Sequence, residues 1–507
     1  MPPAPKAPSP TRLPPAAVLV VHGMGQQVPF ETLDQVHRGL RREEVRQKGP
    51  KIALDAKAEQ VRVGNEHVRR LEIELRDAKG RIRPVHLYEG YWAPVTEGRV
   101  TLRDVISFLV SGGWNGLTNA GGRHTRWVFG QERPTPRGQA LPAILFALLV
   151  VFGLAAVDLL VLAASGALLG RQSWPGEALR SDLTWLVGAG VLLPILLFAF
   201  ALFLGKLGRG RWRLRISRER QAKGEPRDDI QPTLWHRMWD NLAWLLFFLT
   251  ALGLVLVPLL FGALAILRRY GVDGLSRYGV PAAPSWFVYV LLLALAGVSL
   301  LVRHTLVQTL GDVAAYVQTH KLDRFNDLRN EIKKKIRTVA DAIYAQDYDR
   351  VAVVGHSLGS VVAYNTLNDL LNDDADAPPN EQRRVLERTR LLLTFGSPLD
   401  KLAFIFATQR RKTSWTREML SARVQPLVYD YRYRRTFDWV NVHAKRDIVS
   451  GSLDLYDAHP DLDPRPPTDY RPVENVEDAH ARIPLLAHNE YWANPRIWWE
   501  LRRRIVD

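Results

Sequence analysis

Four stretches of the chain are almost purely apolar, whereas polarity is mixed elsewhere. They cover about residues 138–164, 183–205, 241–267 and 278–302. Apart from Asp158, they contain no Asp, Glu, Lys or Arg. About 20 apolar residues suffice for a helix to cross a bilayer, and buried helices of a soluble domain normally keep a polar stripe. The pattern therefore predicts four transmembrane helices within residues 138–303. Asp158 is favoured to reach the interface at the end of the first helix, and a functional carboxylate within the membrane is the alternative.

Shorter, mainly apolar stretches outside this segment predict the strands of a sheet. They are residues 16–21, 84–92, 351–354, 391–395 and 439–443. Residues 31–77 predict a helix followed by charged strands, and residues 321–345 predict a solvated helix. Residues 101–118 predict either an interfacial helix or lid, or a core helix.

These elements predict an α/β domain that the membrane segment interrupts. Its two parts are residues 16–137 and 304–507, and the Pro- and Ala-rich residues 1–15 are predicted to be a disordered tail. No signal peptide is expected, because the first apolar run is too short for one.

The distribution of basic residues predicts how the four helices are oriented in the membrane. The formal net charge is +16, and ten basic residues fall within residues 206–240, between the second and third apolar stretches. The loop between the first and second stretches holds two basic residues, and the loop between the third and fourth holds three. The positive-inside rule then puts the basic loop and both parts of the α/β domain on the cytoplasmic side of an inner or plasma membrane. Membrane lipids are the expected partner of this charge, and nucleic acid is not expected because no binding motif accompanies it.

Cysteine is absent, which excludes disulfides, thiolate metal sites and a cysteine nucleophile. No P-loop, dinucleotide fingerprint or metal-ligand cluster is found in the sequence. We therefore expect no cofactor and no metal. The oligomeric state is left open by these features.

A serine motif follows one of the predicted strands. Gly355-His356-Ser357-Leu358-Gly359 comes directly after the strand at 351–354 and directly before an apolar segment that begins a helix. G-x-S-x-G between a strand and a helix is typical of a nucleophile elbow, a tight turn that exposes a serine above the sheet edge. Ser357 is thus the candidate nucleophile.

A serine nucleophile needs a base and an orienting carboxylate, in the chain order serine, acid, histidine. Asp447 follows the strand at 439–443 and is favoured as the acid, with Asp400 and Asp454 as alternatives. His488, in a C-terminal loop before a Trp-rich helix, is favoured as the base. The alternatives for the base are His459 and His480.

The oxyanion hole should combine two backbone N–H groups. One belongs to Leu358, the residue after the nucleophile. The other is expected in His22-Gly23-Met24-Gly25, which follows the first strand. Met24 is the favoured second donor and Gly25 the alternative, since the glycines let the backbone approach a substrate oxygen closely.

These motifs resemble α/β-hydrolase lipases and esterases, especially class 3 lipases. The resemblance rests on the elbow, the T-F-G-S-P loop at Thr394–Pro398, Asp447-Ile448-Val449, and His488 shortly before Glu490 and Trp492. It implies an α/β-hydrolase fold with Ser357 as nucleophile, Asp447 as acid and His488 as base. It covers the first strand and loop and roughly residues 340–500, but neither the four apolar stretches nor much of residues 40–135.

The expected activity is hydrolysis of a carboxylic ester through an acyl-enzyme, with a lipid or other hydrophobic ester favoured because the site would lie beside the membrane. A thioesterase, amidase or peptidase with the same triad is the alternative among enzymes. A non-catalytic membrane scaffold is the alternative outside enzymes. A channel or transporter is disfavoured, because the four stretches carry almost no polar side chains to line a path.

Overall fold

The computed structural model describes residues 12–24, 27–49, 55–63, 66–97, 99–119, 322–408, 415–429, 435–447, 449–457, 470–478 and 487–507, with isolated positions between 182 and 307. No helix in this described part is long and apolar enough to cross a membrane. The four apolar stretches, including Asp158, lie outside the described residues except at those isolated positions.

Eight strands form one sheet in the order β2-β3-β4-β1-β5-β6-β7-β8. The strands are β1 (Ala16–Val21), β2 (Ala56–Val63), β3 (Glu66–Arg76), β4 (Ile82–Gly90), β5 (Arg350–His356), β6 (Thr389–Phe395), β7 (Asp438–His443) and β8 (Val473–Glu477). The β2–β3 and β3–β4 pairs are antiparallel, and the other five pairs are parallel. The protein is therefore an α/β protein with a mostly parallel sheet, as predicted.

Ten helices are described. They are α1 (Glu31–Lys48), α2 (Ala93–Thr96), α3 (Leu102–Asn119), α4 (Leu322–Tyr344), α5 (Leu358–Asp376), α6 (Val385–Arg388), α7 (Leu399–Thr408), α8 (Trp415–Arg423), α9 (Ala487–Glu490) and α10 (Pro495–Val506). Short 3₁₀ turns lie at Asp454–Tyr456 and Tyr491–Ala493.

Helices cover both faces of the sheet. Side chains alternate between the faces along a strand, so Leu19 and Val21 of β1 pack with α4, α5 and α7, whereas Val18 and Val20 pack with α1 and α10. All six residues of β1 are buried. A central parallel strand is covered on both faces, which explains why β1 and β5 are continuous apolar runs without a polar alternation.

Some elements differ from the sequence prediction. The predicted solvated helix, α4, buries one face through Leu328, Ile332 and Ile336. Helix α3 packs against α7, with Val105 and Phe108 buried and Trp114 exposed. The predicted tail reaches the sheet at its end, where the Leu13 N–H donates to the carbonyl of Ile82 at 2.8 Å.

Candidate active site

The serine motif forms a strained turn between β5 and α5. Ser357 adopts φ 53° and ψ −131°, a conformation that L-residues rarely take. Hydrogen bonds hold the turn in this conformation. The Ser357 N–H donates to the carbonyl of Phe395, and the Ser360 N–H donates to the carbonyl of Ser357, each at 3.0 Å. The Ser360 hydroxyl also donates to the carbonyl of Gly355 at 2.9 Å.

The sheet register brings the other motifs to this turn. Gly355 of β5 pairs with Val21 of β1 on one side and with Thr394 of β6 on the other. The residues after β1 and β6 therefore flank Ser357. On the next strand, β7 pairs with β6, which places the loop that carries Asp447 at the same edge. The carboxyl ends of parallel strands meet at one edge of a sheet, where ligand sites commonly form.

The structure brings Ser357, His488 and Asp447 into one hydrogen-bonded row. The Ser357 hydroxyl lies 2.7 Å from His488 Nε2. His488 Nδ1 lies 2.9 Å from Asp447 Oδ2. With Nδ1–H donating to the carboxylate, Nε2 accepts from the hydroxyl, which is the tautomer that a general base requires.

Asp447 remains ionised although it is buried. Burial raises its pKa, but the His488 ring and hydrogen bonds from His488, the Val449 N–H and the Tyr491 hydroxyl outweigh burial and lower the pKa to about 2. The Val449 N–H donates to Oδ1 at 2.9 Å and the Tyr491 hydroxyl donates to Oδ2 at 2.8 Å. A fixed negative charge thus faces the far side of the His488 ring, where it stabilises an imidazolium.

Two backbone segments form the candidate oxyanion hole. Leu358 is the first residue of α5, so its N–H has no acceptor within the helix. Gly23 follows β1 and lies against the elbow, and Met24, the next residue, packs against the core cluster that contains Leu358. Gly25 is outside the described residues. The backbone packs so closely around Ser357 that glycine is required both before it, at Gly355, and after it, at Gly359. A Cβ on Gly359 would lie 2.3 Å from the carbonyl oxygens of Val21 and His22, and one on Gly355 would lie 2.5 Å from the Cα of Ser360.

We expect Gly23→Ala to lower kcat for any substrate by about 10²–10³-fold, the cost of losing one oxyanion donor. The added Cβ would lie 2.7 Å from the Cβ of Ser357 and 3.0 Å from His356 Nδ1, so the turn must move away from the nucleophile. Gly112→Ala is the control, because a Cβ there meets nothing within 4 Å. Steady-state kinetics of both variants measure the effect, and unchanged kcat in Gly23→Ala would contradict this placement of the oxyanion turn.

His22 orients the turn rather than facing the nucleophile. Its Nε2 accepts from the Trp92 N–H at 2.9 Å, so Nδ1 carries the proton and donates to the Gly23 carbonyl at 2.8 Å. The Trp92 ring stacks on the imidazole at 4.9 Å, and its indole N–H donates to the His22 carbonyl at 3.1 Å. Burial lowers the pKa of His22 to about 4, which keeps this arrangement neutral.

His356 connects the elbow to the segment that carries the base. Its Nε2 donates to the carbonyl of His488 at 3.2 Å. Its ring packs 5.0 Å from Phe395 and 5.2 Å from both His488 and Trp492. Burial lowers the pKa of His356 to about 3, so the ring is neutral at pH 7.

The two buried histidines are expected to make stability fall with acid. Their folded-state pKa values of about 4 and 3 lie below the usual value of about 6.5. The unfolded chain therefore binds these protons more tightly, and the stability present above about pH 6.5 is lost progressively as pH falls toward 4. We expect the Tm of the detergent-solubilised protein to drop between pH 7 and 5, with a shallower drop in His356→Gln. An equal pH slope in the two proteins would contradict this role of His356.

The residues that the sequence offered as alternative acids have other hydrogen-bond or ion-pair partners. Asp400 is buried at the start of α7 and pairs with Lys401 Nζ at 2.8 Å. Asp454 accepts from Ser452 and Asn475. The hydrogen-bond partner of His488 Nδ1 is Asp447, and not Asp400 or Asp454. His459 and His480 lie outside the described residues.

Tyr491 supports the Asp447 carboxylate, a contact that the sequence did not predict. Its hydroxyl donates to Asp447, lies 2.6 Å from the Ser450 hydroxyl and accepts from the Ala444 N–H at 2.9 Å. Tyr491 follows His488 by three residues in a helical segment, and residues three apart share a helix face. The three-residue spacing from His488 therefore indicates that Tyr491 faces the same side of the segment as the candidate base.

Within the described residues, no group of three or more His, Cys, Asp or Glu side chains is arranged to hold a metal ion. Comparison with known protein families, curated proteins and solved structures found no match to this chain.

Proposed function

We propose that the protein is a serine hydrolase of the α/β-hydrolase type that cleaves carboxylic esters. The observation that carries the proposal is the row of two hydrogen bonds from Ser357 through His488 to an ionised Asp447. A mere structural serine needs neither a strained backbone nor a base at 2.7 Å. The mostly parallel sheet, with the elbow after its central strand β5, supports the fold assignment.

The reaction would proceed in two acyl-transfer steps. His488 Nε2 takes the hydroxyl proton as Ser357 Oγ attacks the ester carbonyl, and the N–H groups of Leu358 and Met24 stabilise the oxyanion. His488 then passes the proton to the leaving alcohol as the carbon–oxygen bond breaks. In the second step His488 takes a proton from water, which attacks the acyl-enzyme, and returns it to Ser357 Oγ as the acid leaves.

A hydrophobic ester is the proposed substrate class. The four apolar stretches fall between the end of α3 at Asn119 and the start of α4 at Leu322, so a membrane anchor would hold the domain at the bilayer surface. We expect the full-length protein to stay in the membrane pellet after an alkaline carbonate wash. Release into the supernatant would contradict the anchor without affecting the hydrolase proposal.

The proposal is tested with an ester, a thioester and an amide that share one acyl group. We expect turnover of the ester and thioester well above the amide, because a serine acyl-enzyme forms more readily when the leaving group is good. A p-nitrophenyl ester should also give a burst of nitrophenol stoichiometric with protein, provided that deacylation is the slower step. Absence of turnover with all three, in detergent and in lipid, would contradict the proposal and favour a membrane scaffold.

A further inference from the structure

The oxyanion loop, residues 22–30, connects β1 to α1 and carries Met24, the second proposed oxyanion donor. The structure describes this loop except at Gly25 and Gln26, and its described residues are neither strand nor helix. A backbone N–H group lowers a transition-state barrier only if it is held in place before the charge develops. The contacts that fix the oxyanion loop therefore bear directly on the proposed reaction.

The residues at the end of β4 bind the oxyanion loop on both sides of Met24. On one side, the Trp92 N–H donates to His22 Nε2 at 2.9 Å. On the other side, the Tyr91 hydroxyl donates to the carbonyl of Gln27 at 2.8 Å. The donor thus lies between two points of the loop that neighbouring residues of β4's end hold in place.

Glu89 binds the far end of the loop through a buried carboxylate. The Phe30 N–H donates to Glu89 Oε2 at 3.1 Å, at the N-terminus of α1, where negative charge is favoured. Glu89 is 2% exposed, burial raises the pKa of its carboxyl, and Oε1 has no hydrogen-bond partner among the described residues. Val85 and Leu87, on the same face of β4, are apolar. A leucine at position 89 would avoid burying a carboxylate, but it could not accept from the loop.

Arg69 of β3 connects these groups to one another. Its Cζ atom lies 4.4 Å from the ring centroid of Tyr91 and 5.5 Å from that of Phe30. Its Nη1 lies 3.6 Å from Glu89 Oε2, and its side chain is 23% exposed. A partly buried cation over an aromatic face is attracted by the ring quadrupole. Arg69 therefore helps to fix the Tyr91 ring, and with it the direction in which the hydroxyl points.

We propose that Tyr91, Glu89 and Arg69 are positioning residues that hold the oxyanion loop in the geometry that the transition state requires. The inference rests on the proposed ester hydrolysis and adds how its oxyanion hole is fixed. The contacts above are with the loop and not with the reacting atoms, so these residues act through the N–H of Met24. The oxyanion is fully formed only in the transition state, so loss of this support lowers kcat and leaves KM nearly unchanged.

The informative variant is Tyr91→Phe, measured in the full-length protein in detergent. It removes the hydroxyl that binds Gln27 and keeps the ring beside Arg69. Glu89→Leu and Glu89→Gln form a second pair of variants. Glutamine keeps an acceptor for the Phe30 N–H, whereas leucine does not.

The matched control for Tyr91→Phe is Tyr344→Phe. The Tyr344 hydroxyl hydrogen-bonds to Thr389 Oγ1 at 2.7 Å, and the Arg388 Cζ atom lies 5.6 Å from its ring centroid. Thr389 is the first residue of β6, so this tyrosine lies at the opposite end of the sheet from the triad. The control reports what the loss of one tyrosine hydroxyl costs away from the oxyanion loop.

The acyl group used is the one that the wild type hydrolyses fastest among p-nitrophenyl acetate, butanoate and dodecanoate. Steady-state kinetics of that ester are compared with inhibition by the trifluoromethyl ketone of the same acyl group. Ser357 Oγ forms a bond to the ketone carbon, the hydroxyl proton passes to His488, and the carbonyl π electrons move to the oxygen, which becomes an oxyanion in the hole. The inhibition constant therefore responds to the oxyanion loop, whereas loss of folded protein only lowers the active fraction.

We expect Tyr91→Phe to lower kcat about tenfold and to raise the inhibition constant by a similar factor, with KM changed by less than about twofold. The effect is smaller than the ~10²–10³-fold cost of losing a donor, because the donor is displaced and not removed. Glu89→Leu should resemble Tyr91→Phe, and Glu89→Gln should recover part of the loss. Tyr344→Phe should keep wild-type kinetics and inhibition.

Equal kinetics in Tyr91→Phe and Tyr344→Phe would overturn this inference and leave the hydrolase proposal intact. A loss in Tyr91→Phe that falls on KM, with the ketone inhibiting as in the wild type, would do the same. A wild type that hydrolyses none of the three esters and is not inhibited by the ketones would overturn both.

Discussion

Replacing Ser357 with alanine is expected to reduce kcat by about 10⁶-fold on any ester the protein hydrolyses. The hydroxyl is the nucleophile in the proposed reaction, and its Oγ is the atom that His488 Nε2 contacts at 2.7 Å. Without it, only substrate binding and the oxyanion groups remain, which sustain about 10³–10⁴-fold catalysis over water. Ser111→Ala, on the exposed side of α3, is the control and should keep wild-type kinetics.

The same position offers a separate test through stability. Ser357 holds φ at 53°, which is strained for serine but allowed for glycine. We therefore expect Ser357→Gly to be inactive and yet more stable than the wild type, by up to about 1 kcal/mol in the free energy of unfolding. Thermal or chemical denaturation measures this difference. A less stable Ser357→Gly would mean that the turn is not under strain.

Asp447→Asn is expected to lower kcat on the order of 10⁴-fold. Among the described residues, the groups that hydrogen-bond to this carboxylate are all donors, namely the His488 ring, the Tyr491 hydroxyl and the Val449 N–H. An asparagine must turn its NH₂ group toward at least one of them, and it supplies no charge to the imidazolium. The orientation of His488 and its stabilisation as a cation are therefore both impaired.

The control for this variant is Asp454→Asn. Asp454 was one of the two alternative acids in the sequence, is exposed, and contacts Ser452 and Asn475 instead of the base. We expect its kcat to match the wild type. A loss of activity in Asp454→Asn with activity retained in Asp447→Asn would show that the acid has been assigned to the wrong residue.

Local patterns in the sequence were enough to predict much of the fold. The buried parallel strands β1, β5 and β6 contain continuous apolar runs, because both of their faces are covered, and such runs are recognisable in the sequence. Strand β8 was not predicted. Three of the five residues in its sequence, Val-Glu-Asn-Val-Glu, are polar, and it is a strand because β7 offers it a free edge.

The candidate site was predictable to the extent that its residues carry motifs. Ser357, Asp447 and His488 each stand beside a strand end or in a short recognisable run, and the structure brings them together. The contacts of His356 with the carbonyl of His488, and of Trp92 with His22, join residues that are 132 and 70 positions apart. No pattern within one segment encodes such pairs, because they depend on the register of the sheet.

The most direct test of the hydrolase proposal is labelling with a fluorophosphonate, followed by mass-spectrometric mapping of the adduct. The reagent phosphonylates a serine only when a base activates it, so it reports on the Ser357–His488 pair without knowledge of the substrate. We expect a single adduct on Ser357 in the detergent-purified protein, lost in Ser357→Ala and strongly reduced in His488→Ala. An unlabelled Ser357 in both detergent and lipid, or equal labelling in His488→Ala, would contradict the proposed catalytic role of this site.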